Sequence, residues 1–350
     1  MTQMIRQSMT AYAMPLCETV AAVPEPSGTQ VLVRIARCGV CHSDVHLQDG
    51  YFSLGGDKKL DVSAGRALPF TLGHEIAGVV EKAGPDAQAA IGRSAAVFPW
   101  IGCGECAACR AGEENLCAAP RHLGIQVDGG FATHVLVPHP RYLIDHTGLS
   151  AGLAGAYMCS GLTAFSALKR VSEHAKRGPV LLVGLGGVGM MGLSFARALF
   201  PHAPIVADID AGKRDAALKA GAAAAYDPAD PGARKALFKA TGGVAAAVDF
   251  VGSDGSLAFA AGALAKGGKV VITGLLGGTY TTPIAMFPLR VFTIEGTMTG
   301  TLDEANEMMA LARAGKVPPV PIEERPLAAA QASLDDLRAG KVVGRVVLVP

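Results

Sequence analysis

The architecture of this chain turns on the stretch PVLLVGLGGVGMMGLSFARALF at residues 179–200. Its opening, PVLLVG, is an apolar, β-prone run. GLGGVG then sets Gly184, Gly186 and Gly189 in the G-x-G-x-x-G spacing, with Gly187 and Val188 between them, and the remainder reads as a helix. In such a strand–turn–helix the first glycine makes the tight turn, the second lets the main chain approach a pyrophosphate, and the third lets helix pack on strand. The helix N-terminus offers the anion free N–H groups and a partial positive charge. Alone the triplet is weak, because 44 glycines make such turns common in this chain; the strand before it and the helix after it give it weight. The next apolar run, APIVADID, carries Asp208, where a carboxylate accepts hydrogen bonds from a ribose diol and repels a 2′-phosphate. NAD is therefore expected over NADP. Lys213 and Arg214 soften that preference, being near enough to meet a phosphate, and the plain alternative for Asp208 is an ordinary strand-end acid.

The same rhythm continues on the C-terminal side. Helix-like AGKRDAALKAGA and GARKALFKA, strand-like AAAVDFVG, helix-like SLAFAAGALAK and strand-like GKVVITG follow in turn. Strands alternating with helices imply right-handed βαβ units, so the fold class is α/β with a Rossmann doubly wound parallel sheet, expected over 159–294. Past about 290 the tail holds two helical stretches (303–314 and 327–339) and a last strand, GRVVLV. Towards the N-terminus the pattern is β-rich: VLVRIA (31–36), EIAGVVEKAG (75–84) and FATHVLVP (131–138) are short runs between Gly/Pro-rich connections. Residues 51–70 show no strong period and read as a surface loop.

At 350 residues two domains are the natural expectation, and half the residues are hydrophobic, which suits a large core. The formal net charge of +1, with no Lys/Arg block, argues against nucleic acid and anionic membrane as partners. Apolar runs are short and broken, and none approaches the ~20 residues of a spanning helix. The opening MTQMIRQSMTAYAMP lacks the apolar core of a secretory signal, so a cytoplasmic address is expected.

The eight cysteines are clustered, and in a cytosolic chain clustered thiols read as metal ligands before disulfides. Cys103, Cys106, Cys109 and Cys117 supply four thiolates within fifteen residues, enough to close a tetrahedron around one zinc with no open position, hence a structural site. An iron–sulfur cluster or disulfides are the alternatives. Two further segments, CGVCHSDVH (38–46) and LGHEIAG (72–78), look like parts of a second metal site. A catalytic zinc needs three protein ligands; spacing nominates Cys41 and His74 and leaves the third open. Cys38 with Cys41 as a redox C-x-x-C is a competing reading, and Cys17 is expected to be a small buried hydrophobe.

Over nearly its whole length the sequence resembles the zinc-containing medium-chain alcohol dehydrogenases. GHEIAGVVEKAG (73–84) matches the family pattern G-H-E-x2-G-x5-G, and CGVCHSDVH, the four-cysteine run, YMCSGLTAF (157–165) and GLGGVG occur in the family's order. Two departures are small: Ala87 stands where valine is usual, and GRSAAV where G-D-R-V is usual. The resemblance implies a GroES-like β-rich catalytic domain over 1–158, completed by 295–350, and two zincs per chain. The catalytic ion would rest on Cys41, His74 and Cys159, with Glu75 able to approach it and Asp44 orienting the imidazole of His74. Ser43 would accept the alcohol proton, and the ribose and then His46 would pass it on. Val188 and Thr163 would lie against the nicotinamide, and His42 and Arg345 would face the pyrophosphate. Trp100 either borders the substrate pocket or simply packs in the core. Without the resemblance, His46 would read as a structural histidine at a strand–loop junction. His122, His134, His139, His146, His174 and His202 have no partner motif and are assigned no role.

The expected activity is reversible hydride transfer between a small alcohol, primary or aromatic by preference, and NAD. A polyol or sugar dehydrogenase, or a specialised aldehyde or ketone reductase, is the rival within the superfamily. A non-catalytic zinc and dinucleotide-binding protein is the rival outside it. A homo-oligomer, tetramer before dimer, is expected from relatives.

Overall fold

The computed structural model describes residues 2–350. Its centre is a six-stranded parallel sheet in the order Ala224–Tyr226, Ile205–Ala207, Val180–Val183, Val244–Asp249, Leu264–Ile272, Thr293–Gly296. Chain order runs outward one way from Val180–Val183 and then the other way from Val244–Asp249. The crevice between those two strands is the point where such sheets bind ligands, and the glycine turn opens onto it. All four residues of Val180–Val183 are buried, as expected of a strand covered by helices on both faces. The last strand, Thr293–Gly296, crosses the expected boundary at 294.

A second, seven-stranded sheet is built around the long strands Val31–Gly39 and Glu75–Ala83, which pair antiparallel. The C-terminal strand Arg345–Val349 inserts beside Val31–Gly39, with Ile322–Pro326 on its other side. The tail thereby closes the sheet that the first third begins. Gln3–Met9, Cys17–Ala22 and Phe70–Thr71 form a small separate sheet.

One long helix, Ala151–Ala175, joins the two halves. Its length and apolarity would let it cross a membrane, against the expectation that no run comes close; but 89% of its apolar window is buried inside the protein, so it is a core helix. Its first turns pack on Val31–Gly39 and Glu75–Ala83, and its later turns on the parallel sheet. At Tyr157–Gly161 it loosens into a π-turn, all of it buried. Tyr157 and Phe165 clamp that turn against Phe195, at ring distances of 5.5 and 5.7 Å. Each fully buried ring of this kind contributes about 1.5–3 kcal/mol.

Three local expectations are corrected. Residues 51–70 are not a featureless loop: Tyr51–Gly55 and Lys58–Asp61 form an antiparallel hairpin. Its second strand is wholly exposed, so no alternation of apolar residues betrays it. The hairpin meets the nucleotide-binding half through glycine: a Cβ on Gly55 would stand 2.8 Å from the Gly278 Cα. Cys17 is exposed rather than buried, because it opens an edge strand. His46 lies within the helix His42–Asp49, not at a strand–loop junction.

Candidate active site

The three glycines of the turn have three separate reasons to be glycine. Gly184 has φ +89°, and a Cβ there would strike Val251 at 2.5 Å. Gly189 packs so tightly that a Cβ would lie 1.8 Å from the Gly184 carbonyl oxygen. Gly186 differs: nothing lies within 4 Å of a Cβ built on it, so this main chain faces open space where a ligand can approach. The helix Gly187–Leu199 starts there with no side-chain cap, leaving its first N–H groups free.

Asp208 closes the turn from below. Its Oδ2 accepts from the Leu185 N–H at 2.7 Å and its Oδ1 from the Asp210 N–H at 2.9 Å. Arg214 Nη1 donates to the carbonyls of Asp208 and Ile209 and to Asp227. Lys213 stays half-exposed on the helix that Asp210 caps.

Arg345 reaches the turn from the other domain. A Cβ on Gly187 would touch its Cδ at 2.8 Å and its Nη1 at 3.1 Å. Its Nη2 donates to Glu75 Oε1 at 2.5 Å and to the Val40 carbonyl at 2.9 Å, while Nε is buried without a partner among the described residues. Burial alone would lower the Arg345 pKa, but Glu75 and the Cys41 sulfur outweigh it and hold the cation firmly charged. A buried guanidinium beside a helix N-terminus sets two positive groups together, an arrangement that favours an anion between them. His42, at the surface of its helix, feels the same field: lost solvation, Arg345 and Lys213 all push its pKa down, against Cys41.

The second half of the site lies where the long helix crosses between domains. Ligand atoms of Cys41, His74 and Cys159 all fall within 4.8 Å of one another, and all three residues are buried. The two sulfurs are 4.0 Å apart, close to the ~3.8 Å edge of a tetrahedron with 2.3 Å zinc–sulfur bonds. Three elements converge here: Cys41 as N-cap of His42–Asp49, His74 just before Glu75–Ala83, and Cys159 at the π-turn. Asp44 ties the first two together. Its Oδ2 accepts from the Cys41 N–H at 2.9 Å and its Oδ1 from the Gly73 N–H at 3.1 Å, and Oδ1 stands 3.3 Å from His74 Nδ1. His74 Nε2 is buried and has no partner among the described residues, as an orphaned donor atom awaiting a metal would be. The neighbouring Cys159 thiol, together with His74 and Arg345, holds the Cys41 thiol well below the ordinary thiol range despite burial. Burial pulls the His74 imidazole down, but Asp44 and the Cys41 sulfur outweigh it and raise it. The same pairing, with burial, raises the Cys159 thiol, so Cys41 is the sulfur of the two that ionises more readily.

Around this centre, Ser43 Oγ is 3.9 Å from the Cys41 sulfur. His46 is one helical turn further on, partly open, with its ring 4.8 Å from that of Phe52 on the hairpin. Glu75 Oε1 also accepts from Ser160 at 2.6 Å, while Oε2 is unpartnered. Trp100 is buried, 5.6 Å from the His74 ring, and its Nε1–H donates to the Met158 carbonyl at 2.8 Å, next door to Cys159. It is therefore both core and site wall. Thr163 and Val188 are half-buried near the crossing point, one turn past Cys159 and at the head of the nucleotide helix.

The four-cysteine lobe is a separate cluster. Sγ–Sγ distances are 3.9 Å for Cys103–Cys109 and 3.8 Å for Cys106–Cys117, and all four ligand atoms lie within 4.8 Å. Main-chain N–H groups of residues 103, 106, 109 and 119 point at these sulfurs. Such bonds from Glu105 and Cys106 help lower the Cys103 thiol to about 6. Glu114 anchors the lobe, accepting from the Gly102 N–H, Arg141 and the Tyr142 hydroxyl.

Residues 27–146 match the alcohol dehydrogenase GroES-like domain, and residues 187–314 the zinc-binding dehydrogenase domain. A protein named NAD-dependent alcohol dehydrogenase from Sulfurisphaera tokodaii is 38% identical over 334 residues, covering 94% of each chain. The chain belongs to the zinc-dependent medium-chain alcohol dehydrogenase family. The family member of the same name from Saccharolobus solfataricus is 37% identical, covering 96% of this chain and 97% of its own. Among solved structures, the alcohol dehydrogenase from Aeropyrum pernix superposes with a TM-score of 0.88 at 30% identity, covering 99% of this chain and all of the other. The GroES-like and Rossmann halves expected of the family are thus both present, in its order.

Proposed function

We propose that this protein oxidises small alcohols to aldehydes or ketones, reversibly, with NAD as hydride acceptor and two zincs per chain. The single observation that carries the reading is the convergence of Cys41, His74 and Cys159 in a centre that Arg345, bonded to Glu75 and packed on Gly187, links to the glycine turn. That donor set, two sulfurs and one imidazole, suits a catalytic zinc with one free position; Cys103, Cys106, Cys109 and Cys117 suit a closed structural one. When bound, the catalytic zinc supplies Lewis acidity that lowers the pKa of an alcohol hydroxyl.

The chain's own residues supply the rest. Asp44 fixes His74, and the Glu75–Arg345 pair steadies the floor beneath the turn. Ser43 takes the hydroxyl proton, and His46, three residues on and on the same side of its helix, releases it to solvent. Gly184, Gly186, Gly187 and Gly189 with Arg345 and His42 receive the pyrophosphate, and Asp208 meets the adenine ribose. Val188 and Thr163 support the nicotinamide. The reading includes a homo-oligomer. Leu276, Ile284 and Leu289 stand exposed close in sequence to the outermost strand Thr293–Gly296, a combination that invites a second copy.

NADH formation with a panel of primary, secondary, aromatic and polyhydric alcohols tests the activity. Turnover of primary or aromatic alcohols is expected, and turnover of none would overturn the reading. In the same assay Asp208→Gly should raise the KM for NAD and shift the NADP/NAD ratio of kcat/KM by about tenfold or more, the loss expected for charge-assisted hydrogen bonds. An unchanged ratio would remove Asp208 from the ribose.

A further inference from the structure

Ser160 follows Cys159 in the π-turn and is fully buried. A buried helical hydroxyl ordinarily bonds the carbonyl one turn back. In this chain Thr241 does so with Leu237, and Ser333 with Ala329. Ser160 instead reaches out of its helix. Its Oγ donates to Glu75 Oε1 at 2.6 Å, the length of a charge-assisted bond.

That one oxygen is shared. Arg345 Nη2 donates to it at 2.5 Å, while Cδ and Nη1 of the same side chain lie against Gly187, where the nucleotide helix starts. Glu75 has little room to choose another partner. A Cβ on its strand neighbour Gly39 would stand 2.0 Å from Glu75 Oε2, and one on Gly155 would stand 2.6 Å from the Glu75 carbonyl oxygen. Glu75 Oε1 is thus a fixed node between the turn that carries Cys159 and the arginine beside the glycine turn. With a pyrophosphate on that turn, Arg345 has two anions to serve. The share of Oε1 that Ser160 satisfies leaves more of the guanidinium for the second anion. As the pyrophosphate draws the guanidinium towards Gly187, Oε1 leans on Ser160, and the pull passes into the π-turn.

We propose that Ser160 is a positioning residue that couples the cofactor site to the zinc centre through Glu75 and Arg345. This rests on the NAD-dependent reading above and names the link between its two halves. The coupling is reciprocal: whatever the pyrophosphate does to the π-turn, a change at the π-turn does to pyrophosphate binding.

Trp100, the only tryptophan of the chain, reports on this turn, because its Nε1–H is bonded to the Met158 carbonyl within it. The probe is ADP-ribose, which carries the pyrophosphate but no nicotinamide to touch the centre directly. Its Kd is measured by calorimetry and Trp100 emission is followed, on the unaltered enzyme and on Ser160→Ala and Ser160→Thr. The unaltered enzyme should show a saturable change in emission at the Kd that calorimetry gives. Ser160→Ala should lose most of that change and bind ADP-ribose about fivefold more weakly, the low end for two coupled sites. Ser160→Thr, which keeps the hydroxyl, should restore both; Ser160→Gly makes the same comparison should the alanine variant fail to fold. A flat Trp100 signal in the unaltered enzyme at saturating ADP-ribose overturns the proposal whether or not any variant folds. So does a full response in Ser160→Ala or Ser160→Gly. No binding of ADP-ribose at all would remove the dinucleotide reading itself, and the proposal with it.

Discussion

Cys103, Cys106, Cys109 and Cys117 come from a single fifteen-residue stretch, and three of the four remain partly open to solvent. Cys41, His74 and Cys159 come from three elements spread over more than a hundred residues, and all are buried. The first group provides four donors and the second three. The lobe has almost no core of its own, so a metal held there would take the place of one. The other site is held by the fold whether or not a metal is present: Asp44 positions Cys41 and His74, and the π-turn, with Trp100 bonded to the Met158 carbonyl, positions Cys159. Donor count separates stabilising from catalytic metal, and the source of rigidity separates which group the fold can lose.

This contrast predicts opposite outcomes for equivalent cysteine replacements. Cys41→Ala should cut turnover by at least about a thousandfold while leaving the melting temperature nearly unchanged, since the zinc-assisted ionisation is lost but the surrounding core stays. Cys103→Ala should do the reverse, lowering the melting temperature steeply while activity at low temperature survives in the folded fraction. Thermal melts and initial rates on both variants check this. Equal activity loss with unchanged melting in both would erase the distinction.

A smaller effect belongs to the open site alone, because only there must a proton leave. Burial and the neighbouring His42 push the His46 pKa below its usual 6.5. His46 accepts a proton only when neutral, so alcohol oxidation should hold its rate above that lowered pKa and fall as pH drops through it. His46→Gln should reduce kcat/KM for alcohol by about a hundredfold, the low end for proton transfer by a positioned side chain, and abolish that acid limb. A pH–rate profile retaining the limb in the variant would exclude His46 from the path. The structural lobe, having no proton to move, should be indifferent.

The same contrast explains what could be read from the chain. The four-cysteine spacing and the G-x-G-x-x-G turn are local, so their residues announce themselves. Most strands and helices from Val180 onward are legible as continuous apolar or amphipathic runs, but the strands Ala224–Tyr226, Thr293–Gly296 and Ile322–Pro326, none of them fully buried, give no such run and go unread. Cys159 was not legible from spacing. Nothing near it in the chain marks it as a ligand, and it entered only through resemblance; the π-turn that carries it is a tertiary feature. The 51–61 hairpin was missed because an exposed ribbon needs no alternation.

The metal content of the purified chain is the decisive quantity, measured by elemental analysis on the unaltered protein and on the double variant Cys41→Ala/Cys159→Ala. About two zincs per chain are expected in the first and about one in the second, with the fold intact. One zinc in the unaltered protein, or two retained after both sulfurs are removed, would contradict a three-ligand catalytic centre at Cys41, His74 and Cys159.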